Sequence, residues 1–116
     1  MTTRRIVVGA HYGLKDWLAQ RVTAIVLAVY TIVLLVALLF LPELDYRAWA
    51  GLFASAWMKV LTLIALIALF WHVWIGLRDI YMDYVKPTAA RLFLQVATIV
   101  ALVGYACWAV IILWRV

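Results

Sequence analysis

VTAIVLAVYTIVLLVALLFL, residues 22–41, carries no charged side chain over 20 positions, and its only polar groups are two threonine hydroxyls and one phenol. At a rise of about 1.5 Å per residue, a helix of that length reaches across the roughly 30 Å hydrocarbon core of a bilayer. Residues 60–77 and 92–114 are likewise free of charge. Inside lipid their backbone amides find no water, so each segment must close its hydrogen bonds within itself, as an α-helix does. The expected fold is therefore all-α, a three-helix transmembrane bundle with helices at about 22–41, 57–77 and 92–114 in a single membrane-anchor domain, residues 1–116.

Composition agrees with that reading. The 116 residues are 71% hydrophobic and 13% charged, with a mean hydropathy of +1.13, whereas a soluble domain carries about 25% charge. So little polar surface cannot coat a water-soluble core. Cys107, the single cysteine, lies inside an apolar run, so this chain alone builds neither a disulfide framework nor a thiolate cluster. The net charge is +5, but the basic residues stand at the ends of apolar segments rather than in one patch. That pattern points to a membrane surface and away from nucleic acid. Arg4 and Arg5 precede five apolar or small residues and then HYGLKDW, with no cleavage site after a short hydrophobic region. The first span is thus expected to be an uncleaved anchor, in a bacterial inner membrane or as a mature organelle chain.

Orientation follows from the basic residues flanking the spans. Arg4, Arg5, Lys15 and Arg21 precede the first span, and Arg78, Lys86 and Arg91 lie between the second and third; Arg47, Lys59 and Arg115 fall on the other side. Seven against three predicts a cytoplasmic N-terminus and a periplasmic C-terminus. PELDYRAWAG, residues 42–51, then reads as a short periplasmic connection, with Tyr46, Trp49 and Trp57 at interface level.

In such a chain the informative side chains are the polar ones. His72 stands within the second span, five residues before Leu77, or about 8 Å from that end. An ionisable residue at that depth is expected to face protein or a cofactor. Thr62, Ala65, Ala68, His72 and Gly76 recur at helical spacing and form one stripe of small side chains carrying the imidazole. One reading is close helix packing, with a neutral histidine bonded to a neighbouring helix. The other is a porphyrin edge against the helix, with a ring nitrogen of His72 on its iron. His11, the other histidine, lies in the polar N-terminal segment, so a second histidine ligand would have to come from a partner chain.

Arg21 opens the first span on a face shared with Ala24, Ala28 and Thr31. Its guanidinium either reaches lipid headgroups or clasps carboxylates such as haem propionates, for which its planar fork is suited. Gln95, Thr98 and Tyr105 read as interhelical hydrogen-bond partners. RDIYMDYVKP, residues 78–87, reads as a loop at the cytoplasmic surface. There a tyrosine is an interface anchor or a hydrogen-bond donor to a quinone carbonyl. Asp83 is a solvated partner of basic residues or a proton relay.

HVWIGLRDIYMDYVKP, residues 72–87, resembles the second helix and following loop of the smaller membrane anchor, the D subunit, of the succinate dehydrogenases. In that family histidine and tyrosine stand twelve apart, as His72 and Tyr84 do here. Similarity extends through QRVTAIVLAVY at residues 20–30, WAGLFASAWMKVLTLIAL at 49–66 and DYVKPTAARLFLQ at 83–95. The resemblance implies a subunit of complex II in the bacterial cell inner membrane, docked to an iron–sulfur subunit and a flavoprotein subunit. It implies His72 as one axial ligand of a haem b, with the other from the C subunit of cytochrome b556, and Arg21 near a haem propionate. It further implies Tyr84 as a hydrogen-bond donor to ubiquinone, with Asp83 beside it. Succinate oxidation belongs to the soluble subunits, since this chain has no nucleotide loop and no cysteine set. A haem-free structural anchor of a fumarate reductase-like complex is the alternative. A small multidrug exporter fits less well, because its four spans and buried glutamate have no counterpart: Glu43, the sole glutamate, lies outside the three spans.

Overall fold

The computed structural model describes the backbone of residues 8–116 and the side chains of residues 13–116. Arg4, Arg5 and the His11 side chain, on which part of the orientation and ligand reasoning falls, lie outside the described residues. Four helices follow in order: α1 (Val8–Leu39), α2 (Tyr46–Ala54), α3 (Ala56–Tyr84) and α4 (Thr88–Arg115). The described residues contain no strand. Three of the helices are long and apolar enough to cross a membrane: residues Gly13–Leu39, Ala56–Tyr84 and Thr88–Arg115.

The spans are where the sequence puts them, but the helices outrun them. α1 begins well before residue 22, because the HYGLKDWLAQ stretch contains no proline to interrupt the helix. α3 continues through RDIYMDY, which corrects the expectation of a loop there. Only residues 85–87 separate it from α4. A polar stretch outside lipid keeps its helical hydrogen bonds until the backbone is interrupted, and Pro87 does this by disfavouring helical geometry at the residue before it. The Val85 amide bonds the Tyr81 carbonyl at 3.0 Å to close the end of α3.

The connection between the first two spans is likewise not a plain loop. Asp45 caps α2, its Oδ1 accepting from the Ala48 amide at 2.8 Å, an arrangement that satisfies an otherwise orphaned donor. Trp49 and Phe53 then stack one turn apart, ring centroids 4.9 Å.

α3 is the central element. It packs against α1 and against α4 through nearly opposite faces, since His72 meets α1 while Tyr81, nine residues on and so about half a turn round, meets α4. Buried side chains are few: Met58, Ala65, Ala68, Ile75 and Leu113 are the apolar ones, with Thr23 and Thr98 the polar ones. Most large apolar residues stand outward, including Ile25, Val29, Ile32, Val100 and Val103. That is the signature of a protein whose outer solvent is lipid or another subunit.

Candidate functional site

The α1–α3 seam carries most of the side-chain polar contacts between helices among the described residues. Its contacts run in antiparallel order along the two helices. At one end Arg78 Nη2 pairs with Asp16 Oδ2. Next, Gly76 lies opposite Gln20, close enough that a methyl group at Gly76 would come within 3.8 Å of Gln20 Nε2. Then Thr23 Oγ1 lies 3.1 Å from His72 Nδ1. Farther along, Tyr30 Oη and Thr62 Oγ1 are bonded at 2.8 Å. The stripe expected on α3 is thus real, and α1 covers it: Ala65 and Ala68 are buried, and the close approach of two backbones is what their small side chains permit.

His72 makes the interhelical bond of the packing reading, but with one nitrogen. Nδ1 is engaged by Thr23, and Nε2 has no hydrogen-bond partner among the described residues. An imidazole held by one nitrogen and open at the other is the donor set an axial ligand needs, so this residue fits a haem iron. The Thr23 contact was missed in the sequence, because a threonine in an apolar helix usually bonds its own backbone. Thr23 does that too, and only the antiparallel register reveals its second partner. Gln20, Tyr30 and Asp16 were missed because their neighbours on α3 emerge only from that same register.

Arg21 is exposed on the flank of α1 beside this seam, its guanidinium carbon 5.5 Å from the centroid of the Trp17 ring. It makes no hydrogen bond or ion pair with α3 among the described residues, and its face is continued by exposed Ala28 and Thr31, the latter bonded back to the Leu27 carbonyl at 2.8 Å. Arg21 therefore lies on a surface open to lipid or to a partner.

Tyr84 is the last residue of α3 and 78% exposed, and Asp83 beside it is also exposed. Twelve residues of helix separate Tyr84 from His72, about 18 Å along the axis. Neither Tyr84 nor Asp83 makes a side-chain hydrogen bond among the described residues. Of the three polar residues singled out on α4, Thr98 is bonded by Tyr81 Oη at 2.8 Å. Gln95 and Tyr105 make no such bond among the described residues. An apolar cleft of about 290 Å³ between Trp49, Phe53, Leu66, Ile112 and Leu113 lies under α2, at the far end from Tyr84, and no ionisable side chain lines it.

A small integral membrane protein of three spans, with one imidazole set between two of them, is the class that fold and seam define. Comparison with known proteins makes this specific. The chain belongs to the succinate dehydrogenase/fumarate reductase transmembrane subunit family, whose model matches residues 1–113. It is 40% identical, over 102 residues, to the succinate dehydrogenase hydrophobic membrane anchor subunit of Coxiella burnetii, an alignment covering 88% of this chain and 89% of that relative.

Proposed function

We propose that this chain is the haem-sharing membrane anchor of a succinate:quinone oxidoreductase in a bacterial inner membrane. It anchors a flavoprotein and an iron–sulfur subunit and forms part of the site at which ubiquinone is reduced. The observation that carries the reading is His72, tied at Nδ1 and open at Nε2, in a span that otherwise holds no ionisable side chain between Lys59 and Arg78. Family membership supports the anchoring role. A haem b, when bound, supplies a one-electron redox centre within the membrane. His72 would hold the haem iron together with a histidine of the C subunit, because no second histidine of this chain stands in a span.

Arg21, on the outward flank of α1 with its guanidinium over the Trp17 ring, would hold the propionates through its planar fork of donors. Tyr84 and Asp83 act at the end of α3, where the membrane gives way to water. The Tyr84 phenol donates to a quinone carbonyl, orienting the ring as two electrons arrive from the iron–sulfur subunit and two protons from water. Asp83 keeps that water ordered and within proton-transfer reach. No chain of carboxylates crosses the spans, so the protons are taken from the side on which the quinone is reduced.

The test is the purified complex with His72→Ala. Dithionite-reduced spectra are expected to show a b-type haem band in the parent and its loss or strong weakening in the variant, with all subunits still present. A parent complex without that band leaves the haem-free anchor. A second variant, Tyr84→Phe, is expected to lower quinone reduction several-fold, while succinate oxidation with a soluble artificial acceptor persists. Equal loss in both assays would assign Tyr84 to assembly instead.

A further inference from the structure

Thr23 is 4% exposed, and its hydroxyl is surrounded by three groups. It lies 2.7 Å from the Ala19 carbonyl, 3.1 Å from the Gln20 carbonyl and 3.1 Å from His72 Nδ1. A hydroxyl has one hydrogen, and both carbonyls can only accept. The Ala19 carbonyl is the nearest of the three, and it takes the proton in the back-bonded arrangement threonine adopts within helices. Toward His72 the oxygen offers only lone pairs. An unprotonated Nδ1 would then set two acceptors against each other beside a threonine that is all but closed to solvent. Nδ1 must carry the ring hydrogen and donate it to Thr23 Oγ1. A neutral imidazole has a single N–H, so Nε2 is left bare.

We infer that Thr23 is a positioning residue for His72. It fixes the Nδ1–H tautomer and the ring orientation, and so presents Nε2 as the iron-binding nitrogen. This rests on the haem reading given above. The Ala19 carbonyl is part of the device, since it takes the hydroxyl proton and leaves Thr23 no role but acceptor. Hydrogen bonding at the far nitrogen of an iron-bound imidazole raises its basicity and holds its plane. Loss of that bond therefore weakens both retention and donor strength.

The experiment compares the parent complex with Thr23→Val, which keeps shape and removes the acceptor, and Thr23→Ser, which keeps the hydroxyl. Haem retention is followed by transfer to apomyoglobin, and the haem midpoint potential by optical titration. Thr23→Val is expected to lose haem about tenfold faster or more, the usual cost of removing such a support. Its potential is expected to shift upward, because a weaker donor stabilises the ferric form less. Thr23→Ser is expected to restore both. If Thr23→Val fails to assemble, Thr23→Ala serves in its place with the same expectation.

A haem-bearing parent whose Thr23→Val or Thr23→Ala variant keeps its potential and its haem overturns the positioning role alone. So does a Thr23→Ser variant that departs from the parent as far as the hydroxyl-free ones, since packing of the methyl group would then be the cause. A parent complex without haem overturns the underlying reading as well.

Discussion

Two threonines do the same thing at different seams. Thr98 Oγ1 donates to the Leu94 carbonyl at 2.7 Å and accepts from Tyr81 Oη at 2.8 Å, as Thr23 donates to Ala19 and accepts from His72. In each case the helix's own carbonyl takes the hydroxyl proton and turns the threonine into an acceptor for its neighbour. The consequences of removal differ. In Tyr81→Phe, Thr98 keeps its Leu94 bond, so no buried group is orphaned. The loss is then about 0.6 kcal/mol, the average for an interhelical bond in a membrane protein. Thermal dissociation of the detergent-solubilised complex should drop only slightly, with haem content unchanged. A large loss of stability would mean that Tyr81 does more than pin α3 to α4. His72 and Tyr84 were legible in the sequence because an imidazole in a span and a phenol at its rim are out of place. Thr23 was not, because a hydroxyl bonded to its own helix looks like filler until the opposing helix is placed beside it.

The helices show why spans are easier to read than helix ends. Freedom from charge over about 20 residues is imposed by the bilayer, so the three crossing segments follow from composition. Helix ends are set by backbone chemistry, and this ignores where lipid stops. RDIYMDY stays helical through Tyr84, just short of Pro87, and DYRAWAG becomes α2 because Asp45 supplies a cap. The stripe on α3 allows a sharper statement. Ala68 is 6% exposed and shares the helix face on which His72 meets α1, so Ala68→Leu must push the helices apart or distort a rotamer, a cost of about 1–3 kcal/mol. Gly76 is different: an added methyl group would meet only Gln20 Nε2 at 3.8 Å, an ordinary contact. Gly76→Ala is therefore expected to be neutral or slightly stabilising, since alanine is the better helix former by about 1 kcal/mol. The midpoint of thermal dissociation should fall for the first variant and hold or rise for the second. The reverse order would mean that the seam is closest at Gly76 rather than at the alanines.

At the scale of the whole molecule, antiparallel packing of α1 with α3 and of α3 with α4 collects the start of α1, the end of α3 and the start of α4 at one end. Lys15, Arg21, Arg78, Lys86 and Arg91 gather there, while Arg47, Lys59 and Arg115 stand at the other end. Lys59 is further occupied by the Val116 carbonyl at 3.3 Å and the Trp114 ring. Retention of basic flanks in the cytoplasm then predicts that the end bearing Tyr84 is cytoplasmic, and with it the quinone site and the soluble subunits proposed above. In a Cys107→Ala background, a cysteine at Glu43 should react with a membrane-impermeant maleimide added to intact spheroplasts. A cysteine at Lys86 should react only after the membrane is opened, or be shielded there by the soluble subunits. Labelling of Lys86→Cys from outside would invert the chain. Quinone would then take its protons from the opposite compartment, although every contact within the seam stayed as it is.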